Sequence, residues 1–500
     1  MPIHRRVISF LLAQAIVVGL LGGVASRTEA GSGPTITVSG TQWGASTCYL
    51  GATEGNVRFD VADLQDLGIT TYRVFGGMQR WEAQDDDGVY GSPTVAEIKA
   101  NPNVVNWAWW DEAMTNPPRG TDYWWSGDEN LWPGNARTIF GALKAAGIRP
   151  VLTIRNRDNH HLPAWAPDPP RTEADCNEWW EHVFATVYWL NVRNDYRVDD
   201  FEVHNEPDNR SQGWSGTQAE YLELVKSTKD AIDHVYRTYL PGRVYHVHAP
   251  VTVTGSTWPR EALNQVGDRF DSVNIHNYDA DITSYTRKVH SWMNSAGRGH
   301  DPLWVSEWGT FEDRYDSIPF DVGVVKNMLR GSRPGDDYIY GSHIFTLYDW
   351  DGFGTARYEN FQGLIGPTGA RRPGYYAFRL AARTLQGCRP TFQSTSNNRN
   401  LLAIATRSAD GRLYLLVTNG SRSTYAVDAD LSAHLARGAG TMWLFDAGHM
   451  DVIVGAPAVN DGHVAFSIPS RAAVMIEFTA STAPAAQPAG PTVQETFPTT

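Results

Sequence analysis

Residues 201–207 read FEVHNEP and residues 303–309 read LWVSEWG. Each is a short apolar, β-branched run that ends in a glutamate, Glu206 in the first and Glu307 in the second. Such a run, stopped by proline or glycine, reads as a buried strand with a carboxylate at its carboxyl end. Six similar runs give, with these, eight strand candidates: 41–45, 71–75, 150–154, 200–204, 245–249, 272–276, 303–306 and 343–347. Helical periodicity fills the gaps between them over 57–67, 136–146, 173–190, 217–239, 285–295, 321–329 and 375–385, the first two stopping at Gly68 and Gly147. Strand–helix alternation of this kind predicts an α/β fold, a (β/α)8 TIM barrel over about 35–388. No glycine-rich phosphate loop follows a strand, which argues against a dinucleotide-binding sheet. In a barrel, strand ends converge on one face, so Glu206 and Glu307 are expected to meet there.

Outward from the barrel, the period changes. After Cys388, the runs 401–406, 413–418, 441–445 and 472–478 alternate with turns at Asp410-Gly411, Asn419-Gly420 and Asp461-Gly462. They predict a small C-terminal β-sandwich over 389–480, to which 35–38 adds a strand. Residues 481–500 are rich in Ala, Pro and Thr and read as a disordered tail. At the other end, His4, Arg5 and Arg6 precede an apolar run over 7–24, the pattern of a secretory signal within 1–30, cleaved after Ala25 or Ala30. A secreted chain, with no membrane contact after cleavage, is therefore expected. An uncleaved anchor is the alternative, since the run approaches spanning length. Three cysteines, Cys48, Cys176 and Cys388, are too few for a disulfide scaffold or a zinc cluster; one pair can bridge after export, and spacing does not say which.

The net charge of −13 and the lack of a Lys/Arg stripe argue against nucleic acid as a partner. Nineteen tryptophans suit a neutral partner such as an oligo- or polysaccharide. Seven of them (Trp81, Trp107, Trp109, Trp110, Trp124, Trp125 and Trp132) fall in one long connection, 76–134, which is expected to wall a cleft on the strand-end face.

Two facing carboxyl groups are what glycoside hydrolysis needs. Glu206 is expected to protonate the departing oxygen and later deprotonate water. Glu307, ionised, is expected to attack the anomeric carbon and form a covalent intermediate. Asn205 is placed to bond the hydroxyl beside the reacting carbon. Arg73 is placed to keep Glu307 ionised, Tyr278 to donate its phenolic hydrogen to Glu307, and His276 to bind a sugar hydroxyl or orient a carboxylate. Trp350 is expected to offer an indole face to the sugar. Such chemistry calls for no cofactor and no metal.

Other constellations are weaker. His160 and His161 point apart on an extended chain and read as loop contacts rather than a metal pair. Arg155 and Asn156 end the third strand and can bind sugar hydroxyls; Arg155 in the cleft would also favour acidic sugars. Asp349, Asp351 and Glu312 read as solvated loop charges before cleft residues, and Asp85–Asp87 as a solvated turn that lacks the DxDxDG calcium spacing.

Asn-Glu-Pro after the fourth strand, His-x-Tyr after the sixth, Glu-Trp after the seventh and Trp after the eighth resemble the clan A retaining glycoside hydrolases. A barrel followed by a β-sandwich is most similar to family 39, which includes β-xylosidases and α-L-iduronidases. Family 39 members typically carry Trp before the Asn-Glu pair, where this chain has His204. The resemblance implies that Glu206 is the acid/base and Glu307 the nucleophile of a retaining hydrolase of β-linked glycans. Two readings use the same residues: a transglycosylase, and a carbohydrate-binding barrel without turnover.

Overall fold

The computed structural model describes residues 33–479 apart from 56, 83, 116–134, 156–164, 167–168, 213, 311, 313 and 352–359. The expected signal, the tail, Trp124, Trp125, Trp132, Asn156, His160 and His161 lie outside the described residues. Among the described residues no helix is long and apolar enough to cross a membrane.

The chain begins with strand β1 (Thr35–Ala45), and eight parallel strands then close into a barrel in sequence order. They are β2 (Tyr49–Thr53), β3 (Thr71–Gly77), β4 (Arg149–Arg155), β5 (Asp200–Val203), β6 (His246–Thr252), β7 (Ser272–His276), β8 (Leu303–Gly309) and β9 (Gly341–Phe345). Helices predicted over 136–146, 173–190, 217–239, 285–295, 321–329 and 375–385 form at or near those bounds, and an unpredicted helix, Trp258–Val266, fills the gap between β6 and β7.

The first barrel strand differs from expectation. Residues 41–45 belong to β1, which pairs with Pro390–Ser396 and Tyr425–Asp430 in the C-terminal sheet. Tyr49–Thr53 takes their place in the barrel. Its sequence, YLGAT, has little β-branched character, and Gly51 explains part of that. A Cβ there would sit 2.3 Å from the Thr71 carbonyl oxygen, so crowding inside the barrel demands the residue that sequence patterns count against a strand.

Strand alternation divides each barrel strand between two environments. On β5, Phe201 and Val203 join the helix-facing core, while Asp200 and Glu202 turn inward. On β7, Val273 and Ile275 face the helices, and Ser272, Asn274 and His276 face in. The barrel interior is therefore polar and stacked in layers. At the bottom Asp200 accepts from Arg149 and contacts His248. In the middle Glu202 accepts from Arg73, Thr153 and Asn274. The top layer is the site described below.

The C-terminal region is a ten-stranded sheet that returns on itself. Strand Gly438–Asp446 pairs first with Ala458–Asn460 and then with Ala472–Phe478, which brings the sheet's two halves face to face. Alternation again explains the sequence. Leu413, Leu415 and Val417 fill the core between the halves, as do Ala472, Val474 and Ile476. Leu416, Ala473 and Met475 join the barrel's own core. Both faces are buried, so these strands are continuously apolar, and the region packs on the barrel helices. Asp451 fixes the junction, accepting from Arg379 Nε (2.6 Å) and Arg383 Nη1 (2.7 Å). Cys48 and Cys388 form a disulfide, and Cys176 is free.

Candidate active site

β5 stops at Val203, and the chain turns through two left-handed non-glycine residues, His204 (φ 65°) and Glu206 (φ 44°). Such conformations cost about 1–3 kcal/mol each and persist where surrounding contacts over-determine them. Here His204 donates its amide to the Ile154 carbonyl (2.8 Å), and its buried ring meets Trp214 edge-on. The turn carries Glu206 to β7. His276 Nδ1 lies 2.7 Å from Glu206 Oε1, and Asn209 Nδ2 donates to Oε2 (2.9 Å).

Glu307 reaches the same point by a different device. Along β8, Leu303 and Val305 face the helices, and strict alternation would send Glu307 there too; instead Trp308 packs in that core. Register shifts against both β7 and β9 fall at this place and re-aim the side chain. Glu307 then accepts from Arg73 Nη1 (2.5 Å) and from the Tyr278 hydroxyl (2.7 Å), and lies 3.2 Å from His276 Nδ1. One atom each from Glu206, His276 and Glu307 lies within 4.8 Å of the others. The sequence expectation that the two glutamates converge is met, with the imidazole of His276 between them.

Arg73, wholly buried, aligns the second shell of contacts: Nε to Glu202 (2.7 Å), Nη1 to Glu307 and Nη2 to Asn205 Oδ1 (2.9 Å). Glu202 was not singled out from the sequence. The signal was present, because Glu202 shares strand parity with Asp200 and is a carboxylate in the middle of a buried strand. Burial alone would raise its pKa, but Arg73, Thr153 and His276 hold it down at about 2.

The proton distribution follows from the same contacts. Burial opposes charge on His276, yet Glu307 and Glu206 outweigh it and raise its pKa. Burial would raise Glu206, but the His276 hydrogen bond and charge, with help from Asn209 and Arg73, lower it. Burial and the neighbouring Glu307 and Glu206 push Tyr278 well above the usual phenol range, so its hydroxyl remains a donor. These contacts favour the proton on His276 and the charge on Glu206.

Trp350 lies one contact further out. Its Nε1 donates to the Glu54 carbonyl (2.9 Å), and its ring meets Phe75, which in turn lies 4.5 Å from the guanidinium carbons of Arg73 and Arg155. Arg155 is thus buried against Phe75. Asp349 is held by both terminal nitrogens of Arg372. Glu312 is an exposed partner of Arg314 and lines a groove of about 790 Å³ that begins at Tyr278. The tryptophan-rich connection is described only in part. Trp81 and Trp110 are wholly buried, and Trp107 stacks on Tyr188. Trp107 and Trp110 pack against helix Glu173–Tyr188, through Tyr188 and His182.

Glu206, His276 and Glu307 also have the donor types of a cation site. The Arg73 guanidinium at 2.5 Å from Glu307 opposes a second positive charge there, so the trio reads as a proton network.

Residues 202–326, which hold Glu206, His276, Tyr278 and Glu307, match the family described as glycosyl hydrolase catalytic core. A β-xylosidase from Caldicellulosiruptor saccharolyticus is 23% identical over 283 residues, 52% of this chain and 56% of that one, so the chain spans about half the length of this curated relative. Among solved structures, a family 39 β-xylosidase from Caulobacter crescentus aligns with a TM-score of 0.61 at 18% identity, covering 89% of this chain and 100% of the other. A glucosidase from Croceicoccus marinus aligns at 0.64 with 14% identity, covering 90% and 99%. At these identities the structural likeness speaks to the fold. The chain is similar to the clan A glycoside hydrolases, and family 39 is among the families it resembles.

Proposed function

We propose that this chain is a secreted, retaining glycoside hydrolase that cleaves β-linked glycans by double displacement. The observation that carries the reading is the spacing of Glu206 and Glu307, whose nearest oxygens lie within 4.8 Å across His276. Retaining enzymes hold their carboxyl groups about 5–5.5 Å apart, whereas inverting ones leave about 6.5–9.5 Å for a water. In the first step a Glu307 oxygen bonds to the anomeric carbon, the glycosidic C–O bond breaks, and the departing oxygen takes a proton from Glu206. In the second, Glu206 takes a proton from water, the hydroxide oxygen bonds to the anomeric carbon, and Glu307 is released. In this reading Asn205, held by Arg73, bonds the hydroxyl beside the reacting carbon. Secretion is supported by the basic and apolar N-terminus and by the Cys48–Cys388 disulfide. The similarity to a β-xylosidase makes aryl β-xylosides the first substrates to try.

The test is hydrolysis of an aryl β-xyloside and an aryl β-glucoside, with the first-formed anomer followed by proton NMR. Net retention is expected. Glu206→Ala should lose about 10²–10⁴-fold on substrates with poor leaving groups, and Glu307→Ala should lose more. An initial product of inverted configuration, or a Glu307→Ala enzyme with substantial turnover, would overturn the proposal.

A further inference from the structure

A second group of carboxylates lies away from the catalytic pair, where the connection after β3 meets helix Glu173–Tyr188. The turn Asp85–Asp87 is not simply solvated: Asp86 is buried, and one oxygen from each of the three aspartates lies within 4.8 Å of the others. Two oxygens on opposite sides of a calcium ion, each about 2.4 Å from it, would be about 4.8 Å apart. The spacing therefore suits one ion.

Helix Glu173–Tyr188 supplies an independent observation. Glu181 is wholly buried, and neither of its carboxylate oxygens has a hydrogen-bond partner. Its charged neighbours, in order of influence, are Asp86, Glu178, Asp87 and Asp85, all acidic. Glu178 sits one turn earlier on the same face and accepts from the Gly91 amide, which ties the loop to the helix. Among the described ion pairs, none brings a lysine or arginine to these five residues. Left without a cation, burial and mutual repulsion would drive protons onto them: Glu181 is pushed up to about 11, and Asp86 and Glu178 to about 7. A carboxylate sealed from water with no donor in reach is costly, and a bound cation removes that cost for the whole group.

We propose that Asp85, Asp86 and Asp87 bind a calcium ion, with Glu178 and Glu181 as the anionic wall behind it, and that the ion clamps the long connection after β3 onto helix Glu173–Tyr188. The donors are three carboxylates of one irregular turn, which suits the larger, geometrically tolerant ion rather than magnesium with its demand for octahedral order and retained water. The indole of Trp110 lies against Asp86, so a terbium ion in the site would be excited by tryptophan.

The experiment uses the full chain stripped with EGTA. Terbium chloride is titrated under tryptophan excitation, calcium or magnesium chloride is used to displace it, and thermal unfolding is followed with and without calcium. One equivalent of sensitised terbium is expected, displaced by calcium well before magnesium. Saturating calcium is expected to raise the unfolding temperature by about 4 °C or more. Glu181→Gln should weaken terbium binding at least about tenfold, because it removes a buried negative charge beside the ion. Asp87→Asn, at the exposed end of the turn, provides the same reading should Glu181→Gln fail to fold. No sensitised terbium with no thermal shift at about 10 mM calcium, equal displacement by magnesium, or unchanged binding in the folded variants would each overturn the assignment.

Discussion

Arg73→Met should test how the active site is held together. The substitution keeps most of the side chain's length but removes three hydrogen bonds from a wholly buried guanidinium. Its tightest dependant is Glu202, also wholly buried, whose pKa is held at about 2 against an ordinary 4.5. At about 1.4 kcal/mol per unit, that shift corresponds to roughly 3 kcal/mol of stability. Removing one partner of a buried ion pair independently suggests a loss of about 3–5 kcal/mol. Both routes place the deficit near 3 kcal/mol at pH 7. With a urea slope of about 3 kcal/mol per molar, the unfolding midpoint should fall by about 1 M, read by tryptophan fluorescence. The pH dependence has a definite sign. Glu202 has a depressed folded pKa, so its stabilisation is present above about 4.5 and is lost as pH falls toward 2. The gap between parent and variant should therefore shrink at pH 3. Arg73→Lys, which retains charge but not the three-way fork, should fall between the two. A midpoint within about 0.3 M of the parent at pH 7, or a deficit undiminished at pH 3, would refute this account of the buried network.

Three further outcomes follow from other contacts. The alkaline limb of kcat/KM should lie above pH 6.5, the usual imidazole value, because His276 holds its proton more tightly than a free histidine and loses it only as pH rises through its raised pKa; a limb below about 6 would remove the imidazolium bridge. Replacing Cys48 and Cys388 together by serine should cost about 2–4 kcal/mol in equilibrium unfolding, since the bridge spans 340 residues of chain, and an unchanged midpoint would show that it adds nothing. Asp451→Ala should cost about 1.5–3 kcal/mol by leaving Arg379 and Arg383 without their shared acceptor, and a neutral result in the same assay would mean that the junction relies on apolar packing alone.

Much of the architecture was legible because barrel strands are short apolar runs with helices between them. Strand 272–276 was read to the residue, and so was helix 136–146. Failures cluster where tertiary crowding overrides local preference. Tyr49–Thr53 escaped because the interior wanted Gly51, and 41–45 was drawn into the barrel because its extended character is equally good in the other sheet. The strands Tyr425–Asp430 and His463–Ile468 interleave polar residues with their buried ones, and His449–Gly455 turns Val452, Ile453 and Val454 outward, so none of the three reads as a buried apolar run. At the site, residue types and strand ends pointed to Glu206 and Glu307. The bridging position of His276 did not emerge, because it depends on which ring nitrogen two separate carboxylates reach.

That bridge changes how the acid can work. Glu206 has a lowered pKa in the resting site, the opposite of what a proton donor needs. Its partner gains the proton affinity that Glu206 loses: His276, whose pKa is raised, has Nδ1 2.7 Å from Glu206 and 3.2 Å from Glu307. Formation of the proposed bond between Glu307 and the anomeric carbon would neutralise Glu307. His276 would then lose the first of the charges that raise its pKa, and the proton would move toward Glu206 and the departing oxygen along a hydrogen bond already made. Under the proposed mechanism, nucleophilic attack and proton delivery would be coupled through one imidazole. In the proposed second step the order would reverse: Glu206 would accept the proton from water, and the return of charge to Glu307 would draw that proton back to His276. A carboxylate with a lowered pKa at rest is then suited to both halves of the reaction, because its acidity is set by the covalent state of the other.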